Sequence, residues 1–173
     1  MEFPGTITIP PETLMDVIRG YCRSLDEHGF EEIVLVPTHG GNFAPVKTVA
    51  PDVGREIDAT VIPLANLDEH MRLLNDGLSE AGIDYEQDVI HAGAAETAVV
   101  LAINENLVRM ENIESGTEGP ISTSRLLSEG FKSITENGVL GDPTKATAEA
   151  GETIIQKVVN TYADHIETER RSV

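Results

Sequence analysis

Tryptophan is absent from this 173-residue chain, cysteine occurs once, and aromatic residues make up only 4%. The lone Cys22 excludes an intramolecular disulfide framework and removes the cysteine clusters from which structural zinc sites are built, which fits a reducing cytoplasm. Basic residues are scarce too. Twelve Lys and Arg stand against thirty Asp and Glu, a formal charge of −18 at pH 7, so the attraction on which binding to phosphate backbones or anionic membranes depends is missing. No nucleic-acid or membrane partner is expected. No uncharged apolar run approaches the roughly 18 to 20 residues that span a bilayer, and Met1-Glu2-Phe3-Pro4-Gly5 lacks the basic and apolar regions of a secretory signal. Only four of the twelve basic residues are Lys and the acids are dispersed along the chain, a balance that fits a halophilic protein solvated at high salt.

What is present is an alternation of helical and strand patterns. Pro10-Pro11 opens a helix with Leu14, Val17, Ile18, Tyr21 and Leu25 on its apolar stripe, and His28-Gly29 stops it. Ile33 to Val36 is a β-branched run suited to a strand buried on both faces. It ends in Thr38-His39-Gly40-Gly41-Asn42, where two glycines remove side chains at a sharp turn or a close approach to a ligand. A helix follows through Val46, Val49, Ala50 and Val53; Pro51 is expected to kink or interrupt it. Ala59 to Pro63 reads as a second strand, and the order helix, strand, helix, strand predicts parallel pairing through right-handed crossovers.

Asn66 to Gly82 is expected to be helical, with Leu67, Met71, Leu74 and Leu78 inward and His70 on a solvated face. Ala98 to Ile103 reads as a buried helix, Glu105 to Ile121 as a long surface connection, and Thr144 to Thr168 as a closing helix with Ile154, Ile155, Val158, Val159, Tyr162 and Ile166 on one side. His165 falls in its last turn, where a positive charge suits the helix dipole. The length suits one domain, 1–173, able to bury roughly two-thirds of its unfolded surface. The fold class is α/β, a three-layer α/β/α arrangement around a mainly parallel sheet.

Two stretches carry candidate chemistry. His39 lies at the carboxyl end of a strand, where ligands bind in open α/β sheets, and it either caps its turn or ligates a metal. In Val89-Ile90-His91-Ala92-Gly93-Ala94-Ala95-Glu96-Thr97 the small residues keep the backbone slim around His91 and Glu96. A carboxylate on so apolar a helix is costly unless it is paired, hydrogen-bonded or metal-bound, so Glu96 is a helix cap or a ligand. Metal-assisted hydrolysis needs imidazoles and carboxylates held rigidly and a nearby group to move a proton. His39 and Glu96 are candidates for the first role and His91 for the second.

His39-Gly40-Gly41-Asn42, Phe3-Pro4-Gly5-Thr6, His91-Ala92-Gly93 with Glu96-Thr97, and Gly138 to Pro143 followed by Ala146 to Glu149 occur in the order found in the creatininase family, which the whole chain resembles. The resemblance implies a metal-dependent amidohydrolase cleaving a carbon–nitrogen bond of an amide or formamide in a small molecule or peptide, with metal-bound hydroxide as nucleophile. It implies His39 as a metal ligand and His91 as the proton-transfer residue. Members with a Glu two positions after the loop histidine use it as a ligand; Gly41 stands there, and Glu96 is the inferred replacement. It also implies a divalent metal, Zn²⁺, Mn²⁺ or Fe²⁺, dinuclear in the full family domain. A homo-oligomer, commonly a hexamer, is implied as well, with Glu105 to Ile121 as its candidate contact. The family's Glu-x-His pair and bridging Asp precede the Phe-Pro-Gly-Thr match, so the domain is expected to be incomplete at its amino end. The alternative is an inactive member serving as an assembly partner, or a small-anion module using the glycine-rich loop before the helix.

Overall fold

The computed structural model describes residues 3–87 and 89–171. The chain forms two compact units that interleave in sequence: Ile7–Leu67 with the chain from Thr161 onward, and the chain up to Thr6 with Asp68–Asn160.

The first unit is built on a strand, helix, strand crossover. Helix α1 spans Pro11–Glu27 with Pro at its start, where the missing amide is not needed, and Gly29 beyond its end at φ 81°. Strand β1, Glu32–Leu35, pairs in parallel with β2, Thr60–Pro63, in the register Glu32 opposite Thr60 and Leu35 opposite Pro63. Between them runs helix α2, Gly40–Glu56. Cys22, Ile33, Val49, Val53 and Ala59 form the core, with Met15, Ile18 and Leu25 packed against it. The α1 stripe is therefore Met15, Ile18, Cys22 and Leu25; it keeps Ile18 and Leu25 of the expected face but not Val17 or Tyr21, the latter 70% exposed. Both stripes satisfy helical spacing, and contact with α2 selects one of them. Asp26 fastens α1 to the entry of β2 by accepting the backbone amides of Asp58 at 3.1 Å and Ala59 at 2.8 Å.

Pro45 and Pro51 both lie inside α2, which nevertheless continues for 17 residues without interruption. An interior proline costs a helix about 3 kcal/mol, and burial of Phe43, Val46, Val49, Ala50 and Val53 on one face offsets it, at roughly 1.5–3 kcal/mol for each fully buried large apolar side chain.

The second unit is helical. Helix α3, Leu67–Glu80, buries Leu73, Leu74, Gly77 and Leu78; helix α4, Ala94–Asn104, buries Ala94, Ala95 and Ala98. Helix α5, Thr123–Glu129, is short, and helix α6, Ala148–Arg170, which belongs to this unit as far as Asn160, buries Ala150, Gly151 and Ile154. Leu74, Leu78, Ala94, Ala95, Ala98, Ala146, Ala150 and Ile154 make one core. Two glycines permit its close contacts: a Cβ on Gly77 would lie 2.5 Å from Ile154 Cγ1, and one on Gly151 would lie 2.0 Å from the Ala98 carbonyl oxygen. Helix α4 is not buried throughout, since Ile103 is 69% exposed. Residues 143–145 form a separate 3-10 turn, so the closing helix starts at Ala148, not at the expected Thr144. Among the described residues no helix is long and apolar enough to cross a membrane.

Candidate active site

In the second unit His91 and Glu96 are brought together by a single turn. Ala92 takes φ 53°, in the left-handed region that costs an L-residue about 1–2 kcal/mol. Gly93 then caps α4, and Glu96, in the first turn, reaches back to accept the Ala92 backbone amide at 2.5 Å. This is close to a capping box, and a carboxylate there also meets the positive end of the helix dipole. Of the two roles open to Glu96, the structure shows the cap; one carboxylate oxygen is used in it.

The backbone on either side of His91 is clamped. Leu140, fully buried, donates its amide to the His91 carbonyl at 2.8 Å and bridges on its other side to Thr117. Gln87, buried and polar, orients its carboxamide so that the nitrogen donates to the Leu140 carbonyl at 2.7 Å and the oxygen accepts from the Gly141 amide at 3.0 Å. Asn75 on α3 holds Gln87 in turn, donating to its carbonyl at 3.0 Å and accepting its amide at 3.3 Å. Gly141 must be glycine: its φ is 117°, and a Cβ would lie 1.8 Å from the Gln87 side chain. A Cβ on Gly93 would likewise meet the Leu140 carbonyl oxygen at 2.8 Å. The His91 ring packs at 47° on Phe131, with centroids 4.3 Å apart.

Nearby, Asp142 accepts the Thr144 amide at 3.0 Å and caps the turn after Gly141. The Tyr85 hydroxyl donates to Glu118 at 3.2 Å, and burial together with the Glu118 charge pushes the phenol up to about 12.

Sequence reasoning missed Gln87, Asn75 and His70. Gln87 and Asn75 are twelve residues apart with no motif around them, and only their mutual hydrogen bonds show that they brace the His91 turn. His70, expected on a solvated face, is half-buried; burial pushes its imidazole down while the negative charge of Glu96 pulls the other way. A histidine on α3 thus faces the carboxylate on α4.

His39 belongs to the first unit. It is exposed and is the N-cap of α2, its Nδ1 accepting the Gly41 amide at 3.2 Å. Gly41 suits this arrangement, since a Cβ there would sit 3.3 Å from the imidazole. The capping role is therefore the one observed. Among the described residues, no three His, Cys, Asp or Glu side chains gather closely enough to hold a metal ion.

Parallel strands joined through a helix, a histidine at the strand's carboxyl end, and a second histidine beside a capping glutamate define an α/β protein with the motif order of the creatininases. The chain belongs to the creatininase family: the family model described as creatinine amidohydrolase matches residues 1–166. It is 32% identical over 167 residues to the mycofactocin precursor peptide peptidase of Mycolicibacterium smegmatis, a match covering 95% of this chain and 60% of that protein. The chain thus spans about three-fifths of that curated relative. Among solved structures, a mutant creatininase of "Zn-Zn type" superposes with a TM-score of 0.78 at 22% identity, covering 97% of this chain and 67% of the other. A structure described as "Creatininase Mn" gives 0.73 at 22% identity, covering 97% and 68%. These likenesses establish the α/β creatininase fold.

Proposed function

We propose that this chain forms part of an amidohydrolase that cleaves a carbon–nitrogen bond of an amide or formamide in a small molecule or peptide, with His91 as its proton-transfer group. Family membership over residues 1–166 is the observation that carries this reading, and the clamped His91 turn supports it. In amide hydrolysis water adds to the carbonyl carbon, and the C–N bond breaks as the nitrogen takes up a proton. A half-buried imidazole held by the Ala92 turn and the Phe131 ring is suited to accept the proton that the attacking water loses and to deliver it to the departing nitrogen.

Divalent metal is proposed for the assembled centre, on the strength of the zinc and manganese forms among the solved relatives. The donors described here do not by themselves fit a retained ion. Catalytic metal sites usually have three protein ligands, and no such group exists among the described residues. His39 and Glu96 each have a capping duty as well. Each by itself therefore offers no more than a weak metal donor in this chain. The runner-up, an inactive assembly partner, is favoured by that same shortage of donors. The small-anion module is not, because the His39 imidazole already takes the Gly41 amide that an anion would use. The buried single cysteine, whose thiol burial pushes up, fits a reducing cytoplasm.

Hydrolysis of formamides, cyclic amides and peptides, measured with added Zn²⁺, Mn²⁺ or Fe²⁺ alongside metal retention, tests the proposal. In the full family domain, His91→Ala is expected to leave metal uptake unchanged and to slow turnover by about 10² to 10⁴ fold. Tight stoichiometric metal in this chain would show that the ligands are assigned wrongly. Metal saturation without hydrolysis of any amide would favour the inactive reading.

A further inference from the structure

The second unit contains a cleft of about 550 Å³ whose lining includes Ala92 and Glu96 of the His91 turn and an arginine. The arginine is Arg109, and Val100, Leu107, Ile113 and Val139 supply apolar wall. In a chain with thirty acids and twelve bases, cations are readily paired. Arg72 and Arg125 in the same unit both are, to Asp76 and Glu129. Arg109 makes no ion pair and no side-chain hydrogen bond among the described residues, although Glu105, Glu111 and Glu114 are close in sequence. Its backbone, by contrast, is fixed: Arg109 links two 3-10 turns, 105–107 and 110–112, and its carbonyl accepts the Asn112 amide at 2.9 Å. The result is a guanidinium without a partner among the described residues, anchored at its base, on a residue that lines a partly apolar cleft shared with Glu96.

We propose that Arg109 is the anion-recognition residue of this cleft, selecting amide substrates that carry a carboxylate beside an apolar group. This rests on the amidohydrolase reading for its use of the word substrate. A guanidinium matches a carboxylate in two parallel hydrogen bonds, which fixes orientation as well as position. Glu96 and Glu114 line the same cleft, so there is no broad positive field. A carboxylate is favoured where it touches the Arg109 fork and repelled elsewhere in the cleft. The substrate's charge is thereby directed to Arg109 and kept off Glu96, leaving its amide to approach the His91 turn.

Binding of hippurate, an apolar acyl glycine, and of its neutral carboxamide to the full ¹⁵N-labelled chain decides the matter. Wild-type protein is expected to bind hippurate about tenfold tighter than the carboxamide, the size of one charge-assisted hydrogen bond, with shifts centred on Val108, Arg109 and Ile113. Arg109→Gln is expected to erase that difference while leaving carboxamide affinity within about twofold, and Arg109→Lys to keep part of it. Since Arg109 is exposed and has no partner among the described residues, circular dichroism should be the same for all three proteins. Equal affinities in the wild type, a preference that survives Arg109→Gln, shifts centred elsewhere, or no saturable binding of either probe would each overturn the proposal. The outcome does not depend on turnover. Carboxylate preference with no amide hydrolysis in the full family domain would keep Arg109 in its role and count against the amidohydrolase reading, whereas hydrolysis there with no preference would remove Arg109 alone.

Discussion

A neutral imidazole has one lone pair to offer and one N–H, and His39 has already committed its lone pair. With Nδ1 accepting from Gly41, the proton resides on Nε2. Ligation of a metal through Nε2 would need that proton moved to Nδ1, and the Gly41 amide would then lose its partner. Capping and ligation at Nε2 are mutually exclusive, which raises the cost of binding by about the 0.5–2 kcal/mol typical of a lost N-cap. Two-bond ¹H–¹⁵N spectra of the metal-free chain are expected to show His39 as the Nε2–H tautomer. Addition of Zn²⁺ should convert it to Nδ1–H together with a shift of the Gly41 amide. An Nδ1–H tautomer before metal is added would refute the cap. Glu96 poses the same choice less sharply, because a carboxylate has a second oxygen free while the first holds Ala92. At this scale the residue types were legible and their present duties were not. A histidine before two glycines, or a glutamate in a first turn, is equally a cap and a ligand until its neighbours are seen.

At the scale of elements, helix packing in the second unit turns on Gly151. Alanine would raise helix propensity by about 1 kcal/mol, but its Cβ would meet a backbone carbonyl at 2.0 Å, an obstacle that cannot rotate away. Overpacking of this kind costs about 1–3 kcal/mol or more. Gly151→Ala is therefore expected to destabilise the chain by about 2 kcal/mol net, read as a lower urea midpoint with the slope unchanged. A neutral or stabilising result would mean that α6 does not approach α4 this closely. The two strands and their parallel pairing were visible beforehand in the β-branched runs at Ile33 and Ala59. The continuity of α2 was not, because local rules count each proline and cannot count the five side chains that face buries.

For the whole molecule the dominant quantity is a charge of −18 carried by 173 residues. Ion pairs such as Arg23 with Glu56 and Arg72 with Asp76 are exposed and each contributes at most about 1 kcal/mol, while the excess acids repel one another over a Debye length of about 10 Å at 0.1 M salt. Repulsion among eighteen uncompensated charges outweighs these few local attractions. Raising KCl from 0.05 to 1 M is expected to increase the thermal midpoint, as screening relieves repulsion that the unfolded chain relieves by expanding. A falling midpoint would show that the ion pairs matter more than the net charge.

Composition and short motifs by themselves determined the family, the α/β class, the acidity, the parallel strand order and the two histidine stretches. Each depends on residue type and local spacing, and these are complete in one dimension. Tertiary structure alone decided which stripe of α1 is buried, that Gln87 and Asn75 brace the His91 turn, that His70 faces Glu96, and that Arg109 has no partner among the described residues. Those facts depend on which distant segments meet. A helix offers more than one apolar stripe, and an arginine offers its donors to any acid within reach; only the packed chain chooses among them.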